Sequence, residues 1–180
     1  MQVQPSSAPG AGTTLDPVIP AVEGEFYGYS TEFTRGRPLG FLMKCRANKG
    51  RSITDAPDYP AEHDLTFIFG DTVAVCSPNA RPSVELLGDL AIGVELNMTR
   101  ITRVDMTNTA FYRLRLQKDG QALAAVCRAV IMMGQSEDVV PIAQGTILAV
   151  MTETGKYGLM LITKVTPTSV AVDACHILLP

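Results

Sequence analysis

Tryptophan is absent from this sequence of 180 residues, and aromatic residues of all kinds make up only 6% of it. A surface that binds sugars by stacking needs such side chains, so this class of function is disfavoured. Charged residues are also scarce, at 18%, and a net charge of -3 leaves no basic stripe. Nucleic acid is therefore not an expected partner, because its binding depends on clustered Lys and Arg.

Long apolar runs and catalytic motifs are missing as well. The longest apolar run, Ala122–Met133, is interrupted by Arg128, and it is far shorter than the roughly 20 residues that a membrane-spanning helix needs. No G-x-S-x-G elbow, G-x-x-x-x-G-K loop or G-x-G-x-x-G turn occurs, so the usual signatures of a serine hydrolase or a nucleotide-binding protein are lacking. We therefore expect no membrane span, and a non-enzymatic binding or structural module.

The four cysteines are widely spaced, at Cys45, Cys76, Cys127 and Cys175. There is no C-x-x-C pair, which disfavours a compact zinc knuckle. Each cysteine lies in an apolar segment typical of a strand. Two alternatives stay open, namely buried free thiols and disulfides between strands.

The C-terminal segments are the clearest structural signal. Gly145–Glu153, Lys156–Val165 and Ser169–Leu178 are rich in Val, Ile, Leu, Thr and Tyr, which are favoured in strands. Gly155 and Pro167 lie in the short connections between them, where such residues turn the chain. The pattern predicts an antiparallel meander. Because both faces of the middle strand are largely apolar, the sheet is expected to be covered on both sides or closed on itself.

Earlier segments also indicate strands. Candidates are Glu23–Ser30 and Leu39–Arg46, followed by a tight hairpin formed by Leu65–Phe69 and Thr72–Cys76. Beyond the hairpin, Val84–Thr99 and Ile101–Met106 are predicted to be extended, with a short helix over Val84–Ala91 as the alternative.

The next two segments are predicted as a further hairpin. Polar and apolar residues alternate in Phe111–Gln117, as in a strand with one solvent-exposed face. Asp119-Gly120 is a strong hairpin signal, and it leads into Ala122–Met133, for which strand is preferred and helix is the alternative. The total is about ten strands. The predicted fold is all-β, an antiparallel sandwich or barrel.

The N-terminal segment has a different composition. Residues 1–22 are rich in Pro, Gly, Ser and Thr without apolar periodicity, as in a flexible linker. We expect a disordered linker over 1–22 and a single β-domain over 23–180. One interpretation is a cytosolic chain. The favoured one is an exported bacterial protein, periplasmic or at the cell surface, whose linker is a tether.

The predicted functional surface is the end of a long loop, Ala47–Asp64. Clustered oxygen and imidazole groups on such a loop are what a divalent metal uses. The candidate metal ligands are Asp58, Glu62 and His63, and the wider ligand surface adds Asp55, Tyr59 and Asp64. The alternative is a solvated acidic loop without a metal. The second histidine, His176, is expected to lie in a mainly apolar setting.

Two partial resemblances bear on function. Gly145–Thr163 is similar to the terminal hairpin of many exported bacterial β-domains. Tyr112–Ile142, with its Asp119-Gly120 turn, resembles the late strands of hot-dog thioesterases, which implies an acyl-thioester hydrolase with a long helix wrapped by its sheet. A third alternative is a subunit of a larger symmetric assembly, because the terminal meander is apolar on both faces.

Overall fold

The computed structural model describes residues 24–40, 50–53, 62–133 and 136–178. These ranges are mostly β and form two antiparallel sheets with nine strands, which confirms the predicted all-β, sandwich-like class. The strands are β1 (Glu25–Thr34), β2 (Leu39–Gly40), β3 (Leu65–Phe69), β4 (Val73–Cys76), β5 (Thr99–Arg103), β6 (Val139–Pro141), β7 (Ile147–Thr152), β8 (Tyr157–Val165) and β9 (Ser169–Leu178).

The larger sheet has five strands in the order β1-β9-β8-β7-β5, and the smaller has four in the order β2-β3-β4-β6. The predicted meander is confirmed as β7, β8 and β9, which pair antiparallel in sequence. The predicted hairpin over Gly70 is confirmed as β3 and β4. Strand β1 then pairs with β9 along its whole length, which brings the start of the described chain beside its end.

The main core lies between the two sheets. Phe33 of the larger sheet stacks on Phe67 of the smaller, with 4.1 Å between ring centroids. Both side chains are fully buried, and burying a side chain of this size contributes about 1.5–3 kcal/mol to stability. Val75, Val150 and Met160 are among the buried residues around this pair. The alternation of these residues along their strands therefore fixes which face of each sheet is internal.

Within the described ranges, three α-helices interrupt the β structure: α1 (Arg81–Leu87), α2 (Asn108–Gln117) and α3 (Gly120–Met132). A 3-10 helix, Gly88–Ala91, follows α1. The short helix considered over Val84–Ala91 is thus confirmed in place of the extended prediction for that stretch. The strand predictions for Phe111–Gln117 and Ala122–Met133 are wrong, since both segments are helical.

The helical outcome has local causes that the strand interpretation overlooked. The side chain of Thr107 accepts a hydrogen bond from the Ala110 N–H and caps α2. Asp119 does the same for Ala122 at the start of α3, over 2.9 Å. Asp is as favourable at a helix N-cap as in a hairpin turn. The Asp119-Gly120 dipeptide therefore begins a helix here, and Ala and Leu, which favour helix, continue it.

The helices cover the outer face of the larger sheet. Phe111, Leu114, Leu123 and Cys127 are buried against residues of β7, β8 and β9. The larger sheet is consequently covered on both faces, by the smaller sheet and by α2 and α3, as the apolar pattern of β8 predicted. The resemblance to hot-dog strands loses its basis, because the residues that carried it form helices packed on one face of a sheet.

Several predictions concern residues outside the described ranges. They include the linker over 1–22, most of the second predicted strand, and Cys45. These stay predictions.

Candidate functional site

An open groove runs between the exposed side of α2 and strand β1, with a volume of about 440 Å³. We call it the α2–β1 groove. Its lining residues are Phe26, Gly28, Tyr112, Arg115, Leu116 and Lys118. Phe111 and Leu114 of α2 are buried, and the flank of the helix beside this buried stripe, with Tyr112, Arg115 and Leu116, faces the groove. Leu116 is 81% exposed there, so its apolar side chain is available for contact with a ligand.

A polar cluster beside the groove joins α2 to two strands. Its centre is the carboxylate of Asp173 on β9, which accepts hydrogen bonds from the hydroxyls of Ser30 and Tyr112. Arg115 Nη1 lies 3.1 Å from Asp173 Oδ1 and completes the cluster. The side chains of Arg115 and Asp173 are only 21% and 16% exposed. This cluster holds α2 at a defined position relative to β1, and thereby defines one wall of the groove.

The cluster is organised around an ionised Asp173. Partial burial alone would raise the pKa of this carboxyl, but the hydrogen bonds from Ser30 and Tyr112 and the positive charge of Arg115 outweigh burial and lower the pKa. The hydrogen bond to Asp173 in turn raises the pKa of the Tyr112 phenol. A carboxylate with a lowered pKa is a weak base, so it is poorly suited to activate the Ser30 hydroxyl as a nucleophile. The cluster joins α2 to β1 and β9 through the Asp173 carboxylate.

Gly28 allows the Arg115 side chain to lie across β1. A Cβ atom at this position would come within 3.0 Å of Arg115 Nε and 3.1 Å of its Cγ. Contacts that close would force the guanidinium to shift. The absence of a side chain at Gly28 thus lets Arg115 cross β1 and reach Asp173.

The groove carries a net positive charge. Arg115 is balanced by Asp173, whereas Lys118 makes no ion pair with another described residue. Lys118 is exposed and adopts the left-handed conformation that ends α2, with φ 52°. The adjacent Asp119 uses its carboxylate to cap α3. A ligand with an apolar part and a negative group would match these walls.

Sequence reasoning missed this site. Ser30, Tyr112 and Asp173 are far apart in the chain, and their meeting depends on the pairing of β1 with β9, in which Ser30 lies opposite Asp173. Arg115 lies in Phe111–Gln117, for which the sequence pattern predicts a strand, whereas the segment is a helix. The one feature of the sequence that points to this site is an apolar residue, Leu116, between the cationic residues Arg115 and Lys118. That pattern alone does not indicate a binding site.

The predicted loop site is described only in part. Asp55, Asp58 and Tyr59 lie outside the described residues. Glu62 is exposed, whereas His63 is fully buried, with its Nε2 3.0 Å from Thr66 Oγ1. Asp64 is buried as well, and its N–H donates to the Gly40 carbonyl. The structure therefore turns Glu62 and His63 to different environments.

The metal site stays a prediction because Asp58 is not described. Among the described residues, no three His, Cys, Asp or Glu side chains are grouped closely enough to hold a metal ion. In the same residues, no helix has the length and apolar character needed to cross a membrane.

The other predicted chemical groups are internal. His176 is fully buried, and its ring lies 5.5 Å from that of Tyr29 between centroids, which agrees with the expected enclosed setting. Cys76, Cys127 and Cys175 are buried free thiols, which decides between the two alternatives for these three residues. Burial raises the pKa of Cys76 and of Cys175 to about 12. Thiols of this kind are poor nucleophiles at neutral pH.

The sequence matches no protein-family model and no curated protein. The structure resembles that of a DUF4466 family protein from Parabacteroides merdae, with a TM-score of 0.58 and 13% identical residues. The match covers 86% of this chain and 54% of the other. This chain thus corresponds to about half the length of that protein. At this identity the likeness concerns the fold alone.

Proposed function

We propose that this chain is a non-enzymatic binding module whose ligand docks in the α2–β1 groove. The observation that supports the proposal is the groove itself, in which exposed apolar side chains meet an unbalanced cation. Exposed apolar side chains beside a concavity are typical of binding surfaces. The Asp173 cluster supplies rigidity, because it joins β1, α2 and β9 through one carboxylate.

The chemistry of the lining residues defines the ligand class. Phe26, Leu116 and the ring of Tyr112 offer apolar contact, and Lys118 offers a charge-assisted hydrogen bond,. The ligand is therefore expected to carry a carboxylate or another anionic group next to an apolar group. The predicted surface around Asp55–Asp64 would attract the opposite charge, so the two surfaces can be tested separately.

The test uses two simple probes, octanoate and phenylbutyrate, titrated into isotope-labelled protein while backbone amide signals are followed by NMR. We expect the shifts to concentrate at Phe26, Gly28 and Leu116. Leu116→Glu should weaken binding by about tenfold or more, since it places a negative charge in the groove.

A matched control is available at the end of α3. Met132 is 83% exposed, nearly the same as Leu116, and it does not line the groove. Met132→Glu should leave the shifts unchanged. Shifts scattered over the surface, or equal losses in both variants, would contradict the proposal.

A further inference from the structure

Among the described strands, β1 is an edge strand of the larger sheet. It pairs with β9 on one side, and no other described strand pairs with its opposite side. It contains ten residues, and its register with β9 runs without a bulge. The other edges are less accessible. In the smaller sheet, β2 and β6 have two and three residues, and beside β5 the Glu137 N–H donates to the Ile101 carbonyl.

The hydrogen-bond pattern identifies the backbone groups that face outward. The Arg35 N–H donates to the Thr168 carbonyl, which makes this pair a hydrogen-bonded one in the β1–β9 ladder. Since such pairs alternate in antiparallel sheets, odd-numbered residues of β1 bond to β9. The N–H and C=O groups of the even-numbered ones therefore point away from it. These residues are Phe26, Gly28, Ser30, Glu32 and Thr34. The Thr34 carbonyl already accepts the Arg37 N–H, so the outward groups available to a partner are those of the first four.

The same residues face the helical layer. Phe26 and Gly28 line the groove, and Ser30 belongs to the Asp173 cluster. A strand added beside β1 would lie about 4.8 Å from it. Every second side chain of that strand would then point toward α2 and enter the groove. The edge and the groove together form one composite surface.

We infer that the partner is an extended peptide segment that adds to β1 as a sixth strand of the larger sheet. Its alternate side chains, apolar and acidic, occupy the α2–β1 groove. The backbone of β1 supplies the hydrogen bonds, and the groove selects the side chains, as in other complexes formed by strand addition. Apolar side chains contact Phe26 and Leu116, and a carboxylate pairs with Lys118. The inference rests on the proposed function, and it names the partner and the mode of binding.

Natural edge strands are usually blocked by proline, a bulge or lysine, because an open edge recruits other strands. β1 has none of these along its length. It has instead a glycine, Gly28, which is exposed and is crossed on one face by the Arg115 side chain. At the groove end of β1, Lys118 favours an acidic side chain over a basic one by charge complementarity, whereas the exposed Glu32 toward the other end of the strand does not.

The experiment begins with selection from a phage-displayed library of linear dodecapeptides against the full chain. We expect enrichment of sequences in which apolar and acidic residues alternate. One enriched peptide is then synthesised with a fluorophore, and its affinity is measured by anisotropy. A version with alternate backbone amides methylated tests whether strand pairing is required.

Two positions separate the edge from the groove. Glu32→Pro removes one outward N–H while sparing the bonds to β9, and Glu32→Ala is its matched control because it keeps that N–H. We expect Glu32→Pro to weaken peptide binding by about tenfold and Glu32→Ala to have little effect. Leu116→Glu should also weaken binding. Circular dichroism and thermal melts verify that each variant is folded.

The outcomes are distinct. If Leu116→Glu abolishes binding while Glu32→Pro and amide methylation do not, the groove binds ligand without strand addition, so the inference fails and the proposed function stands. If the phage selection does not enrich sequences in which apolar and acidic residues alternate, the inference is overturned. If, in addition, octanoate and phenylbutyrate cause no NMR shifts in the groove, the proposed function fails as well. A dimer that sedimentation detects and Glu32→Pro disrupts would make a second copy the occupant and overturn the peptide assignment.

Discussion

Asp173 provides the sharpest test of how α2 is held against the sheet. Its carboxylate accepts two hydroxyl hydrogen bonds and pairs with Arg115. We expect Asp173→Ala to lower the free energy of unfolding, because it leaves Arg115 and two hydroxyls without their acceptor. Asp173→Asn should have a smaller effect, since the amide oxygen still accepts a hydrogen bond.

The magnitude follows from the partial burial of the cluster. Buried hydrogen bonds to charged groups contribute about 1.5–3 kcal/mol each, whereas exposed ion pairs contribute about 1 kcal/mol at most. The side chains of Asp173 and Arg115 are 16% and 21% exposed. The contribution of the cluster therefore lies between that of a buried hydrogen bond and that of an exposed ion pair. We expect a loss of about 2–3 kcal/mol for Asp173→Ala and about 1 kcal/mol for Asp173→Asn.

The effect should depend on pH in one direction. The cluster lowers the pKa of Asp173 in the folded protein, so its stabilisation is fully present above the unfolded pKa of about 3.9. It is lost as the pH falls through the lower folded value. The difference in unfolding free energy between the natural protein and Asp173→Asn should therefore be greatest near neutral pH and should become smaller in strong acid.

Urea denaturation followed by circular dichroism measures the difference at each pH. Asp71→Asn is a suitable control, because Asp71 is an exposed turn residue and its substitution should change stability by no more than about 0.5 kcal/mol. A difference for Asp173→Asn that is absent at neutral pH, or constant down to strong acid, would refute the assigned role of the carboxylate.

Three further predictions concern the core and the N-terminal segment. In a Cys45→Ser variant, the thiols of Cys76, Cys127 and Cys175 should resist a thiol reagent in the folded protein and react after denaturation, because all three are buried; fast reaction in the folded state would contradict that burial. Leu123→Ala should cost about 2–5 kcal/mol in chemical denaturation, since Leu123 is a fully buried residue of α3 that packs on the larger sheet,. Leu116→Ala should cost under about 1 kcal/mol, and equal costs would argue against the helical packing. We also propose that residues 1–22 are a linker to a single domain, so their deletion should leave the denaturation midpoint unchanged, and a clear loss of stability would show that they belong to the domain.

Strand segments with strong local signals were predicted correctly from sequence. The meander of β7, β8 and β9 was marked by alternation and by turn residues such as Gly155, and the β3–β4 hairpin by Gly70-Asp71. The two-sided burial of β8 followed from apolar residues on both of its faces. These features depend on residues close in sequence, where side-chain periodicity and turn chemistry act directly.

The local sequence did not determine whether the segments that cover the larger sheet are helices or strands. Phe111–Gln117 is too short for alternation to exclude a helical period, and Asp119-Gly120 suits a hairpin turn and a helix N-cap equally well. What decided the matter was the apolar face of the larger sheet, against which α2 and α3 bury Phe111 and Leu123. Tertiary packing of this kind routinely overrides weak local preference.

The groove and its polar cluster were decided by tertiary structure alone. The succession of strand-like segments and turn residues predicted an all-β chain, and the sequence carries no evident catalytic motif. Only the register of β1 on β9 placed Ser30 opposite Asp173, and only the helical form of α2 brought Tyr112 and Arg115 to the same carboxylate. Contacts between residues so distant in the chain leave no local pattern, because each residue is ordinary in its own segment.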